Sequence, residues 1–297
     1  MARGLPFVLI DVFAERPLEG NPLAVVADAD TLDRSVMRAI AREFNQSETT
    51  FVVAPSRPEA DWRLRSFTPA GVEVGGAGHN ALGAWWWLAT ADRLDLEDGA
   101  GSFAQEIGGR VLPVEVLGEN GRPHAIAMDQ DRPETGSETR DLAALGAALG
   151  LATDDLVDRL PAQVVSTGAP HLLVQARDRA AVDRCTPDTH RLAAALREVG
   201  GEGCYVYSLD PVDSDSAAYA RFFNPTVGIV EDPATGTAAG PLACHLVAHG
   251  IIDDGTGVVI EQGRALGRPS RIRIRVAGER VTISATAVVT AEGVLRI

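Results

Sequence analysis

The chain has 297 residues, with 27 Lys or Arg against 41 Asp or Glu and a formal net charge of -14. At a pI of about 4.8 such a surface repels nucleic acid and anionic membranes, so neither is expected as a partner. The length gives room for about two domains, each with its own core. The cysteines Cys185, Cys204 and Cys244 are odd in number and lack CxxC spacing, which argues against a disulfide framework or zinc knuckle and fits a reduced, cytoplasmic protein.

The opening MARGLPFVLIDVF holds an apolar run of strand length. It is too short to span a membrane and has no cleavage pattern, so no targeting segment is expected. Residues 7–13 read as a buried strand, Gly20-Asn21-Pro22 as a loop and residues 23–26 as the next strand. Leu32, Val36, Ile40 and Phe44 recur at helical spacing, with Arg34, Arg38, Arg42 and Glu43 left for solvent; that helix should end near Asn45. Gln46 to Thr50 lead into a strand over 51–54. Glu48 stands in this junction, where a carboxylate is most often simply solvated. Residues 62–65 alternate as a strand. Trp85, Trp86 and Trp87, in the helix that follows, cannot share one face and read as core and interface filling. Strands over 102–117 and around Met128 come next, and the polar ETGSETR after Pro133 reads as the passage into a second domain. Residues 141–149 and 190–199 have helical patterns. Between them, 163–176 reads as two short strands around a Gly-Ala-Pro turn. Residues 271–276 alternate strictly, and two more strand-like runs close the chain.

One design occurs twice. From Phe67 the sequence is FTPAGVEVGGAGHNALGAWWWLA, and from Phe223 it is FNPTVGIVEDPATGTAAGPLACHL. Each has Phe-x-Pro, a Gly-rich turn ending in Gly78-His79 or Gly236-Thr237, and a helix apolar nearly all round, which belongs inside its domain. In the second copy Thr237 reads as the N-cap and Pro241 as a first-turn residue. Leu242, Leu246 and Val247 share a face there, and Gly250 ends the run. Helix starts of this kind offer free amides and partial positive charge to a carboxylate, so a small anionic substrate is the expected ligand. Either stretch alone could be two glycines easing helix packing; the matching flanks argue for two similar halves.

Several chemistries lack their residues. Gly76-x-Gly78 is not a dinucleotide fingerprint, and there is no Gly-Lys-Ser/Thr phosphate loop. His245 and His249 are four apart but lack the glutamate of the zinc pattern, and read as capping or solvated. No nucleophile elbow occurs around a serine. Acid–base work by Glu48, His79 and Asp232 beside amide-rich helix starts remains, although Asp232 before a proline also suits an ordinary turn.

The blocks DVFAERPLEGNPLAVV, AREFNQSETTFVV, SFTPAG followed by GAGHNALG, the MDQ after His124, GIVEDPATGTAAGPLACHLVAHG and IEQGRALGRPS lie in order from residue 11 to residue 270. Together they resemble the PhzF-type phenazine biosynthesis isomerases. The resemblance implies an α+β, diaminopimelate-epimerase-like fold: two similar lobes, each a β-barrel around a central apolar helix, with the active site between them. The lobes are expected at residues 1–122 with a final strand at 287–297, and at 123–286. The resemblance further implies a homodimer and no cofactor, and no metal site is expected. It carries the family's acid–base carboxylate onto Glu48, the histidine of its Gly-His turn onto His79, and the aspartate of its E-D-x-A-T-G motif onto Asp232. Thr237 stands where many members have serine. Ser47, Gly78, His79, Asn80, Gly236 and Thr237 are the expected substrate-binding set. Gly75, Gly76 and Asn80 depart from the family pattern and bear on substrate identity.

The implied reaction is a proton relocation. Glu48 removes a proton from the sp3 carbon of a cyclic unsaturated amino acid such as trans-2,3-dihydro-3-hydroxyanthranilate and returns it further along the conjugated system. Competing readings are an isomerase of another unsaturated amino acid, such as an alkylproline precursor, a Glu-based epimerase, and a non-catalytic binding protein of the same fold. A two-thiol racemase is set aside, because neither Gly-rich turn has a cysteine.

Overall fold

The alternating and helical patterns of the sequence become, in a computed structural model describing residues 4–297, two compact units. One runs up to Asp129 and includes Ser284–Ile297; the other is Gln130–Ile283. Residues 1–3, part of the expected first lobe, lie outside the described residues.

The first unit opens with β1 (Gly4–Val12) and β2 (Asn21–Val26), an antiparallel pair running from Phe7 opposite Val26 to Val12 opposite Asn21. Helix α1 (Arg34–Phe44) follows, capped by Asp33, whose carboxylate accepts from the Val36 amide at 3.0 Å. Asn45 ends it in a left-handed conformation, φ 50°, which asparagine tolerates better than most residues. Met37, Ile40 and Ala41 are buried, so the charged face is the solvent face. This helix is the crossover that lets β3 (Glu48–Val53) run parallel to β2, with Leu23 opposite Glu48. Then come β4 (Trp62–Phe67), the two-residue β5 (Glu73–Val74), helix α2 (His79–Thr90), and the meander β6 (Gly101–Ile107), β7 (Arg110–Glu119) and β8 (Arg122–Asp129). Strand β6 is parallel to β4.

Helix α2 packs against β1, β2, β3, β4, β7 and β8, so strands surround it and a polar stripe would have nowhere to go. Leu82, Trp85 and Leu88 are fully buried, each contributing about 1.5–3 kcal/mol by leaving water. Close approach also needs Gly83, where a Cβ would sit 2.7 Å from side-chain carbons of both Leu23 and Val12.

The second unit repeats this order. It contains β9 (Glu134–Thr139), α3 (Leu142–Leu149), β10 (Ala162–Ser166) and β11 (Pro170–Gln175), then α4 (Arg179–Arg184) and α5 (Thr189–Val199). Next are β12 (Gly203–Ser208), β13 (Ala218–Asn224), β14 (Ile229–Asp232), α6 (Gly236–Ala248), β15 (Gly257–Gln262), β16 (Ser270–Ala277) and β17 (Arg280–Ala285). Strands β11 and β12 are parallel, as β2 and β3 are, and β13 and β15 are parallel, as β4 and β6 are. Helix α6 takes the place of α2 and packs on β10, β11 and β16. Finally β18 (Ala287–Arg296) returns to the first unit, antiparallel to β1, while β9 is antiparallel to β10. Strands β18 and β9 thus hold matching places in the two units. The expected α+β architecture of similar lobes around apolar helices is present.

The structure corrects several expectations. The units divide after Asp129 and before Ser284, where the lobes were expected to divide at 122 and 286; β8 pairs with β7 from Arg122 to Ala127. The passage ETGSETR forms β9 over Glu134–Thr139: its side chains are mostly exposed, yet its backbone pairs with β10. The cap of α6 is Thr235, so Thr237 lies inside the helix, and Pro241 is in its second turn. Proline has no N–H to give the Thr237 carbonyl, so that intrahelical bond is missing. His245 is buried rather than solvated, and burial, followed by the charge of His249, pulls its pKa down to about 4. Helix α4 had no counterpart in the sequence reading. Among the described residues, no helix is long and apolar enough to cross a membrane.

Behind each Gly-rich turn stands an arginine clamp. In the second unit Arg221 of β13 donates through Nε and Nη2 to the two carboxylate oxygens of Glu231, at 2.8 and 2.7 Å. Its Nη1 donates to the carbonyls of Val182, Asp183 and Cys185, and its guanidinium lies 5.0 Å from the Phe223 ring centre. In the first unit Arg65 of β4 forks onto Glu73 at 2.7 and 3.1 Å and sits 5.3 Å from the Phe67 ring. Both clamps fix the short strand entering the turn. The second is the more buried, with both charged side chains 10% exposed or less. Arg221→Met should therefore leave the Glu231 carboxylate buried and unpaired and cost about 3–5 kcal/mol, read as a lower denaturation midpoint. A loss under 1 kcal/mol would show the clamp to be dispensable.

Candidate active site

Glu48 is the first residue of β3, placed there because α1 ends at Asn45 and the chain must turn sharply to pair with β2. His79 is the first residue of α2. The two meet: His79 Nε2 lies 3.0 Å from Glu48 Oε2, with the side chains only 12% and 19% exposed. This short approach brings the imidazole to bear on the carboxylate by charge and by hydrogen bonding. Burial alone pushes the Glu48 pKa up and is the largest single influence. The charge of His79 and its proton outweigh it, and the carboxyl is held below its ordinary value. Glu48 is accordingly ionised at neutral pH.

The Gly78-His79-Asn80 turn is built around Asn80. This buried side chain accepts from the Gly78 amide at 2.7 Å and donates to Gly76 O and Ser66 Oγ, each at 3.0 Å. Ser66 Oγ is in turn 2.8 Å from Thr50 Oγ1. Asn80 thus holds the turn closed, and the Gly78 amide is already engaged. Ser47 is exposed and donates to Asn21 Oδ1 at 3.3 Å.

In the second unit Asp232 ends β14, and its carboxylate accepts from Thr235 Oγ1 at 2.5 Å. Gln262, fully buried, is the hub: it donates to the Asp232 carbonyl at 2.7 Å and to Thr235 Oγ1 at 3.1 Å. Its Oε1 accepts from the Thr235 amide and the Tyr205 hydroxyl. Helix α6 starts at Gly236, whose carbonyl accepts from Gln130 Nε2 at 2.9 Å. A Cβ at Gly240 would overlap the Gln130 carboxamide, so glycine is required for that contact. The amides of Gly236 and Thr237 precede the first intrahelical bond and, in contrast to Gly78, no side chain of the described residues accepts from them.

Glu48, Ser47, Gly78, His79 and Asn80 are therefore grouped in one unit, and Asp232, Gly236 and Thr237 in the other. The sequence reading missed the hydrogen-bond hubs Gln130, Gln262 and Thr235. All three lie inside motifs it had singled out, the MDQ, IEQG and EDPATG blocks, but a glutamine's role depends on distant partners. Burial pushes the thiols of Cys185 and Cys244 up to about 12 and about 11, so neither is the thiolate a thiol-based racemase needs. Among the described residues, no three His, Cys, Asp or Glu side chains are grouped as metal ligands.

The family model described as PhzC-PhzF, phenazine biosynthesis-like protein, matches residues 10–293. The chain belongs to the PhzF family. It is 38% identical to the trans-2,3-dihydro-3-hydroxyanthranilate isomerase of Pseudomonas aeruginosa, over 97% of this chain and 98% of that one. A PhzF-family phenazine biosynthesis protein of Bacillus anthracis superposes with a TM-score of 0.89 at 28% identity, covering 99% of this chain and all of the other. A hydroxyproline epimerase of Agrobacterium vitis shares the fold alone, with a TM-score of 0.67 at 11% identity, covering 99% of this chain and 91% of that one. This PhzF-family member is an isomerase.

Proposed function

We propose that the protein moves a proton, and with it a double bond, within a cyclic unsaturated amino acid of the trans-2,3-dihydro-3-hydroxyanthranilate type, with Glu48 as the acid–base group. The observation that carries this reading is the 3.0 Å approach of His79 to a mostly buried Glu48. The ionised carboxylate takes a proton from the substrate's sp3 carbon, and the electron pair released spreads into the conjugated system. Because His79 holds the Glu48 carboxyl below its ordinary value against the effect of burial, the newly protonated Glu48 returns the proton readily to another carbon of that system. One C–H bond breaks and one forms, with no net redox change, so the chain's own groups suffice without a cofactor.

The substrate carboxylate is received at the start of α6, where the Gly236 and Thr237 amides and the Thr237 hydroxyl converge with the positive end of the helix. The start of α2 is less suited, because Asn80 Oδ1 occupies the Gly78 amide. Asp232, held by Thr235 and Gln262, is the group for the substrate amine.

A substrate carrying deuterium at the sp3 carbon tests the reading. The expected product has lost the label from that carbon, with part of it at the carbon that gains hydrogen and the remainder in solvent. Product that keeps all its label at the original carbon would contradict a proton relocation.

A further inference from the structure

Strand β11 places a histidine where the first unit has a leucine. The register sets His171 opposite Gly203 between β11 and β12, as Leu23 is opposite Glu48 between β2 and β3. Where the first unit puts an acidic side chain against its helix start, the second has glycine, and the imidazole of His171 fills the space. His171 is 2% exposed and packs edge-on against Phe222 with ring centres 4.9 Å apart. Its Nε2 is 3.3 Å from Thr237 Oγ1. Its Nδ1 is buried and has no hydrogen-bond partner among the described residues. A buried imidazole with a half-used polar edge is a costly replacement for leucine.

The neighbours assign the ring's proton. A Cβ built at Gly203 would overlap the Phe222 ring, 2.4 and 2.7 Å away, and lie 3.1 Å from Nδ1, so Gly203 and Phe222 crowd that nitrogen and leave it no acceptor among the described residues. An N–H on Nδ1 would be a buried donor with no acceptor, which costs more than leaving a bare nitrogen there. Burial keeps the ring neutral, with its pKa pulled down to about 4, so one nitrogen is bare and the other carries the proton. That proton is on Nε2, and Nε2 donates to Thr237. The Thr237 oxygen is then an acceptor inside the protein, and its own hydrogen has no acceptor among the described residues.

We propose that His171 is a positioning residue that fixes the Thr237 hydroxyl as a donor aimed outward, toward a carboxylate at the start of α6. The proposal deepens the carboxylate assignment made above and rests on it. By accepting from His171, Thr237 is prevented from presenting its oxygen lone pairs to an anion. The device therefore selects for a ligand carboxylate against a neutral group in the same place. Gly203 belongs to it, since any side chain there would overlap Phe222 and press on the imidazole.

Anthranilate, an aromatic amino acid with no sp3 carbon to lose a proton from, is a suitable probe; aniline, which lacks the carboxylate, is its control. Calorimetric affinities would be measured for the wild type, T237V, H171L, H171Q and the H171L/T237V pair. T237V should weaken anthranilate about tenfold and H171L about fivefold, the scale of one hydrogen bond to a charged group. The double variant should be no weaker than T237V, and H171Q, whose amide can donate from a similar position, should bind within about twofold of wild type. Aniline binding should not change in any of them. Unchanged anthranilate binding in T237V would sink the carboxylate assignment and the role of His171 together. Weakening by T237V with none by H171L, or effects that multiply in the double variant, would remove His171 alone. If H171L does not fold, nitrogen NMR of the wild-type ring decides: a protonated Nε2 and bare Nδ1 are expected, and the opposite tautomer overturns the proposal.

Discussion

Glu48→Gln should reduce turnover about a thousandfold or more, the range for losing a general acid–base group, while leaving the fold and ligand binding in place. The carboxamide keeps the shape of the side chain, and the strand start it occupies is held by backbone pairing to β2 rather than by the carboxylate. Thermal stability should therefore change little, and the affinity for anthranilate should stay close to wild type. Glu48→Asp is informative beside it: the shorter side chain withdraws the carboxylate by more than 1 Å, enough for about a hundredfold loss. A Glu48→Gln enzyme that turns over near the wild-type rate would take Glu48 out of the chemistry.

The second large effect is expected from His79→Gln, and its sign follows from the balance at Glu48. In the wild type the carboxyl sits below its ordinary value because the charge and proton of His79 outweigh burial. The base form is then present at neutral pH and is lost only as pH falls through that lowered pKa. Removing the imidazole leaves burial unopposed, and burial raises a carboxyl pKa. The acid limb of kcat/KM should move to higher pH, so the variant loses far more activity between pH 7.5 and pH 5 than the wild type does. A profile of the variant that merely drops in height, with its acid limb unmoved, would show that His79 does not tune Glu48.

Much of the fold was legible because local pattern and tertiary role agree. Val36, Ile40 and Phe44 mark α1 by spacing alone, with Leu32 just ahead of its cap Asp33, and helices apolar on every side can only be surrounded, as α2 and α6 are. The repeat showed itself through Phe-x-Pro and the Gly-rich turns. Its deeper sign, an arginine two residues before the phenylalanine paired with a glutamate on the following short strand, was not read. Arg65 and Glu73, like Arg221 and Glu231, look like ordinary surface charges until their burial is known. ETGSETR, legible as the passage between domains, does not show itself as a strand for a related reason: it has no apolar side chain, and only the distant partner β10 makes the segment a strand. The site shows the same limit. Nothing in SETT distinguishes Glu48 from a solvated carboxylate, because His79, which changes its chemistry, is remote in sequence and is brought near only when β3 and α2 pack together. Family resemblance supplied that pairing where local reasoning could not. It did not supply His171, Gln130 or Gln262, whose roles come from hydrogen bonds made across the second unit.

The most direct measurement of the central claim is the wash-out of deuterium from substrate labelled at its sp3 carbon, followed in wild-type enzyme and in Glu48→Gln. The wild type should release part of the label to solvent during turnover, since Glu48 is partly exposed and exchanges its proton. Glu48→Gln should bind the substrate and leave the label where it is. Label loss by Glu48→Gln at the wild-type rate would place the proton-abstracting group elsewhere in the molecule.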